Sequence, residues 1–221
     1  MLDELEEDAI REMFNLSLGH AVPTLSEMVD AEIEFSPPCI EMTAAQRLIE
    51  NIEQLVGSAA CLVQMGFKLI LARTEEVAGT ALLLLRGESV APLLDALYGE
   101  HVPESMHNEV CRETFTDVGD LLLYTCVSTL SGLLDADLEG KKPVFFRGNP
   151  RDWNMSMASF NLRDGQVEEA SSFGERQVAN LRVDFSIPLR MVGGSVVIWL
   201  DWTDKVGLRQ AIRRFIATRS V

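Results

Sequence analysis

Two stretches of this 221-residue chain match each other at a constant offset of 105 residues. Val22, Thr24, Leu25, Ser26, Asp30 and Ala31 correspond to Val127, Thr129, Leu130, Ser131, Asp135 and Ala136. A match at half the chain length predicts two copies of one supersecondary unit, about 1–100 and 101–221, so any fold for one half must serve the other. Composition shifts near residues 100–108, but no flexible Gly/Ser linker separates the halves. One α+β domain built from two repeats is therefore expected.

Each copy opens with a long helix. The first is predicted from about Asp3 to Asp30, with Asp3, Glu4, Glu6 and Glu7 complementing the positive end of its dipole. Ile10, Met13, Phe14, Ala21 and Met28 fall on one side and predict the core face. Pro23 removes a hydrogen bond to the Gly19 carbonyl, which predicts a kink near residues 19 to 23. Ala31 to Glu34 alternates like a strand before Pro37-Pro38, and Leu48, Ile49, Ile52 and Leu55 give residues 43–55 an amphipathic helical period. Ser58–Met65, Phe67–Ala72 and Val77–Arg86 read as strands, the last almost wholly apolar and so central. A helix over Ser89–Tyr98 should stop at Gly99.

The second long helix is predicted over about 106–136, with Ser105 as N-cap and a core face of Phe115, Val118, Leu122, Cys126 and Leu133. Val144–Arg147, Trp153–Leu162, Leu181–Leu189 and Ser195–Asp201 read as strands. Asp164-Gly165 and Gly193-Gly194 read as turns, and 166–179 as a polar loop. Gly79-Thr80 at the start of an aliphatic strand is echoed by Gly194-Ser195, and a helix over about Thr203–Ala217 closes the second copy.

On the first helix, Asp8, Glu12 and Asn15 stand at i, i+4 and i+7, a single stripe that Gly19 continues, facing away from the core residues. Such a stripe is either a solvated face or a rigid rod presenting a carboxylate and a carboxamide together to a docked partner. A neutral carboxamide both accepts and donates hydrogen bonds. At the 105-residue offset the same stripe reads Glu113, Asp117 and Asp120. Asp117 is one methylene shorter than Glu12, and Asp120 cannot donate and adds a negative charge.

Asp8-x3-Glu12-x2-Asn15, followed 22 positions later by Pro37, resembles the signature of the CheC/CheX/FliY family, phosphatases acting on the phosphorylated CheY receiver of bacterial chemotaxis. The resemblance implies a pseudo-two-fold CheC-like α+β fold, an antiparallel or mixed sheet packed with two long homologous helices and shorter ones. It implies a docking role for Glu12, pairing with a receiver lysine, and a water-orienting role for Asn15, with Asp8 and Pro37 completing the motif. Glu113, Asp117 and Asp120 then form a degenerate second site, one position out of register at Pro143. No cofactor is expected on this chain, and Mg2+ is expected on the partner response regulator. A CheD-like protein and a second copy of the chain are further candidate partners. Two other readings stand beside this one. A non-enzymatic CheC-like scaffold of a receiver or flagellar switch would use the same surface. A metal-dependent hydrolase would use the acidic second copy, although one helix face offers too few directions for six oxygen ligands.

Thirty-four acidic against 19 basic residues give a formal charge of −15, which repels phosphate backbones and anionic lipid, so neither nucleic acid nor membrane is expected as a partner. The longest aliphatic run, Ala81 to Leu85, is far short of a bilayer's span. An acidic opening, Met1 to Glu7, without an apolar segment predicts a cytoplasmic location. Cys39, Cys61, Cys111 and Cys126 lack C-x-x-C spacing and read as small buried hydrophobes. His20, His101 and His107 fall in no nucleophile motif, and no phosphate-binding G-x-x-x-x-G-K-[ST] loop is present. Lys205, Arg209, Arg213 and Arg214 give the last helix a basic face, expected to be solvated or to meet a partner.

Overall fold

The computed structural model describes residues 2–57, 59–72, 75–99, 101, 103, 107–150, 152–153, 176–202 and 206–219, with the backbone alone at 49, 107 and 108. Helix α1, Glu4–Val29, opens on a capping box. The Glu6 N–H donates to Asp3 Oδ1 at 2.8 Å, and the Asp3 N–H donates to Glu6 Oε2 at 3.2 Å. It ends at Asp30, left-handed at φ 46°, and runs unbroken through Pro23. In the second half, α4, His107–Leu133, is followed by Asp135 at φ 53°. The Asp30 N–H donates to Glu27 O and the Asp135 N–H to Gly132 O, so this terminal bond recurs at the 105-residue offset.

Between these helices run β1 (Glu34–Phe35), β2 (Cys39–Ala44), α2 (Leu48–Val56), β3 (Ala60–Leu71), β4 (Glu75–Arg86) and α3 (Gly87–Tyr98). After α4 come β5 (Ala136–Gly140), β6 (Val144–Gly148), β7 (Gln177–Ile187), β8 (Val192–Asp201) and α5 (Val206–Arg219). The eight strands among the described residues form one sheet in the order β1-β7-β8-β4-β3-β5, with β2 also on β7 and β6 also on β3. Every pairing is antiparallel. Exchanging β1, β2, β3 and β4 with β5, β6, β7 and β8 reverses this order and leaves it otherwise unchanged.

Because side chains alternate across a strand, the central strands feed two apolar layers. Val63, Met65, Phe67, Leu83, Leu85, Val196 and Ile198 join the layer under α1, α3, α4 and α5. Leu62, Leu82, Leu84, Val197 and Trp199 join the opposite layer, closed by Leu48, Ile52 and Val56 of α2 and by Trp153. With both faces covered, Leu82 to Leu85 are all buried, which is why β4 reads as a continuous apolar run.

Several expectations need correction. Ser58–Met65 and Phe67–Ala72 are one 12-residue strand, since Gly66 stays in register opposite Thr80. Gly193 and Gly194 make no turn: the chain reverses at Pro188–Arg190 and Met191, φ 53°. The glycines lie inside β8, where a Cβ on Gly194 would sit 2.5 Å from Leu84 O and 2.6 Å from the Phe185 ring. Gly79 lies likewise under the Phe67 ring, so the echo between the halves is a glycine beneath a cross-strand phenylalanine. Met28 is exposed, its place in the core taken by Leu25 and Val29, and Leu133 is only partly buried, with Leu134 beneath. Cys39 is exposed on edge strand β2. Burial pushes the Cys61 and Cys126 thiols up to about 12, which leaves both inert. Ser105, Lys205, most of the Trp153–Leu162 strand, the Asp164-Gly165 turn and residues 166–175 lie outside the described residues, while 177–179 begin β7. Among the described residues no helix is long and apolar enough to cross a membrane.

Candidate active site

The core face of α1 fixes where its other face points. Ile10, Met13, Phe14, Leu18, Ala21, Leu25 and Val29 are buried, and the Ser17 hydroxyl donates back to Met13 O at 2.8 Å. Asp8, Asn15 and Gly19 are consequently exposed, and Glu12 half so. Asp8 lies 3.6 Å from Arg11 Nη1 on its own helix. Asn15 has no side-chain hydrogen bond among the described residues, leaving its amide free in both donor and acceptor capacity. The structure thus brings Glu12 and Asn15 together one turn apart, with Asp8 a turn before them. Pro37 lies off this stripe, exposed in the link between β1 and β2. That link is tied to β7, where Ser36 N–H donates to Asp184 O at 2.8 Å and Asp184 N–H to Ser36 Oγ at 3.0 Å.

On α4, Glu113, Asp117 and Asp120 are exposed as well. Their stripe ends in Tyr124, 53% exposed, where α1 has Gly19, and Leu121 beside it is 40% exposed. Among the described residues no group of three or more His, Cys, Asp or Glu converges as a metal site would require.

Two arginines of the basic face of α5 meet α1 of this same chain, while Arg214 is exposed and Lys205 lies outside the described residues. Glu6, 1% exposed, accepts from Arg209 Nη2 at 2.8 Å and from Arg213 Nε at 3.1 Å. Sequence reading missed this clamp, because nothing local relates residue 6 to residues 209 and 213. Burial by itself would raise the Glu6 carboxyl pKa. The Asp3 N–H together with the Arg209 hydrogen bond and charge outweigh it and hold the carboxyl below the usual range. A group whose folded pKa is lowered contributes stability above its unfolded value, about 4.3, and loses it as pH falls through the folded one. Unfolding free energy should therefore drop on acidification below about pH 4. Glu6→Gln should cost about 2 kcal/mol at pH 7 and flatten that drop. Urea unfolding at stepped pH reads both; an acid limb as steep in Glu6→Gln as in the wild type contradicts the assignment.

No family model matches the chain. Solved structures do. FliY from Thermotoga maritima is 18% identical with a TM-score of 0.66, over 99% of both chains. A chain of the CheX–CheY–BeF3–Mg2+ complex from Borrelia burgdorferi is 18% identical with a TM-score of 0.53, over 86% of this chain and 96% of that one. A chain of the FliG–FliM complex from H. pylori is 9% identical with a TM-score of 0.55, over 96% of this chain and 100% of that one. The CheC-like α+β fold expected from the motif is the fold that this chain shares with them.

Proposed function

We propose that this chain dephosphorylates a CheY-like receiver, with Asn15 orienting the attacking water and Glu12 setting the docking register. The observation that carries the reading is the exposed Glu12–Asn15 pair on a rigid, core-anchored helix, in a fold shared with a chain of a CheX–CheY complex. In this reaction a water attacks phosphorus in line with the aspartyl oxygen. The P–O bond to the aspartate breaks, its electron pair returns to the carboxylate, and inorganic phosphate leaves. Little covalent work falls to the protein, so placing the water and stabilising charge carry the rate. Asn15 accepts a hydrogen bond from the water and donates to a phosphoryl oxygen without opposing its charge. Magnesium, which neutralises phosphoryl charge, belongs on the receiver in this reading. The two halves are two copies of one unit within a single domain, and only the first keeps the working side chains.

A second reading, a scaffold of the flagellar switch, draws on the FliG–FliM complex, one chain of which has the same fold. Following phosphate loss from the phosphorylated receivers of the same cell separates the two. Acceleration supports the phosphatase, and none with any receiver leaves the scaffold. Docking has its own test. Glu12→Ala should weaken receiver affinity several-fold at low ionic strength and much less at high, where the ion pair is already screened. Equal affinity of variant and wild type at low salt would contradict the role given to Glu12.

A further inference from the structure

The clamp between α5 and α1 has a third arginine, and it closes on the candidate site itself. Arg219, in the last turn of α5, donates from Nη1 to Glu12 Oε1 at 2.7 Å. Its guanidinium carbon stands 4.9 Å from the centroid of the Phe215 ring, which is buried in the core. At the other end of α5, the Glu75 carboxylate accepts from the Gly207 N–H at 2.7 Å and the Leu208 N–H at 3.0 Å, satisfying two donors of the first turn. Gly207 permits this approach, since a Cβ there would lie 2.8 Å from Glu75 Oε2. With Arg209 and Arg213 on Glu6 between these ends, α5 is fixed along its length and Arg219 is a braced donor. It occupies one oxygen of Glu12. Oε2 carries no hydrogen bond among the described residues.

We propose that Arg219 is a positioning residue for the docking carboxylate: it holds Oε1 of Glu12 so that Oε2 is presented, beside Asn15, to an ammonium group of the receiver. The inference rests on the receiver-docking reading above. A glutamate held at one oxygen has already lost part of the rotamer freedom that docking would otherwise remove. The opposite role, an internal cation that shuts Glu12 off, would require a tight pair. Both side chains are 47% exposed, and a pair so exposed is weak enough for an incoming ammonium to share the carboxylate.

The test titrates the full chain with a CheY-like receiver held active by beryllofluoride and measures turnover of the phosphorylated receiver separately. Arg219→Ala should raise Kd about fivefold, with the loss in turnover falling on KM rather than kcat, and Arg219→Lys should recover part of it. In a Glu12→Gln background, Arg219→Ala should have no further effect on Kd, a non-additivity that a merely structural role would not produce. Tighter binding by Arg219→Ala, or additive losses in the cycle, overturns the proposal. If the wild type binds the receiver but does not dephosphorylate it, the phosphatase reading fails, and the Kd cycle still decides the role of Arg219. If the wild type binds no receiver, both fall.

Discussion

Replacing Asn15 with alanine is expected to lower receiver dephosphorylation by about 10²-fold or more, roughly 3 kcal/mol of transition-state stabilisation, as for loss of one preorganised donor. Asn15 is exposed on a helix whose opposite face is fully buried, so the truncation removes a solvent-facing amide and no core contact. The unfolding midpoint should stay in place while kcat falls. Asn15→Asp should be comparably poor, although nearly isosteric, because a carboxylate cannot donate and sets a negative charge against the phosphoryl oxygens. That variant copies what α4 already carries at Asp120, so Asp120→Ala should leave the rate nearly untouched. Single-turnover phosphate release from a phosphorylated receiver distinguishes these variants. If Asp120→Ala abolishes activity and Asn15→Ala does not, the working site is on α4 and the assignment is wrong.

Local chemistry was the legible part of the sequence. Acidic charge at its start and apolar periodicity placed α1 almost to the residue, because both are local signals. The apolar run of β4 and the stop at Gly99 were readable for the same reason. The exposed stripe of Asp8, Glu12 and Asn15 followed from helical period alone. What the sequence concealed is set by partners far along the chain. Gly66 reads as a break, yet β3 continues through it because β4 on one side and β5 and β6 on the other hold the ladder. Gly193-Gly194 reads as a turn, yet the pair serves a close approach to Leu84 O and the Phe185 ring. Arg209 and Arg213 read as part of a face that is solvated or meets a partner, yet both meet Glu6 about 200 positions away in the same chain, as Arg219 meets Glu12. No window of sequence contains both ends of such a pair.

The two long helices also differ in how they sit on the core, and this yields the second large effect. Position 119 of α4 is a buried glycine on which a Cβ would stand 2.6 Å from Val63 Cγ1 and 2.8 Å from Val63 Cβ. At the matching position of α1, 105 residues earlier, stands Phe14, fully buried. One helix therefore lies with its backbone against β3, while the other places a large buried ring at the matching position. Phe14→Ala should lose about 4 kcal/mol through the cavity it leaves. Gly119→Val should lose about 3 kcal/mol by forcing α4 away from Val63, a buried residue of a strand paired on both sides. Urea unfolding reads both, and a Gly119→Val protein within about 0.5 kcal/mol of wild type would show that α4 is not seated so closely. The seat bears on function because it helps set how each stripe is presented. Asp117→Glu combined with Asp120→Asn gives α4 the side chains of α1 but neither its seat nor the bare Gly19 surface, since Tyr124 remains in the way. In an Asn15→Ala background this double change should accordingly restore less than about a tenth of the wild-type rate, a deficit of more than about 1.4 kcal/mol. Recovery to near the wild-type rate would show that side-chain identity alone, without the geometry of the helix beneath it, decides activity.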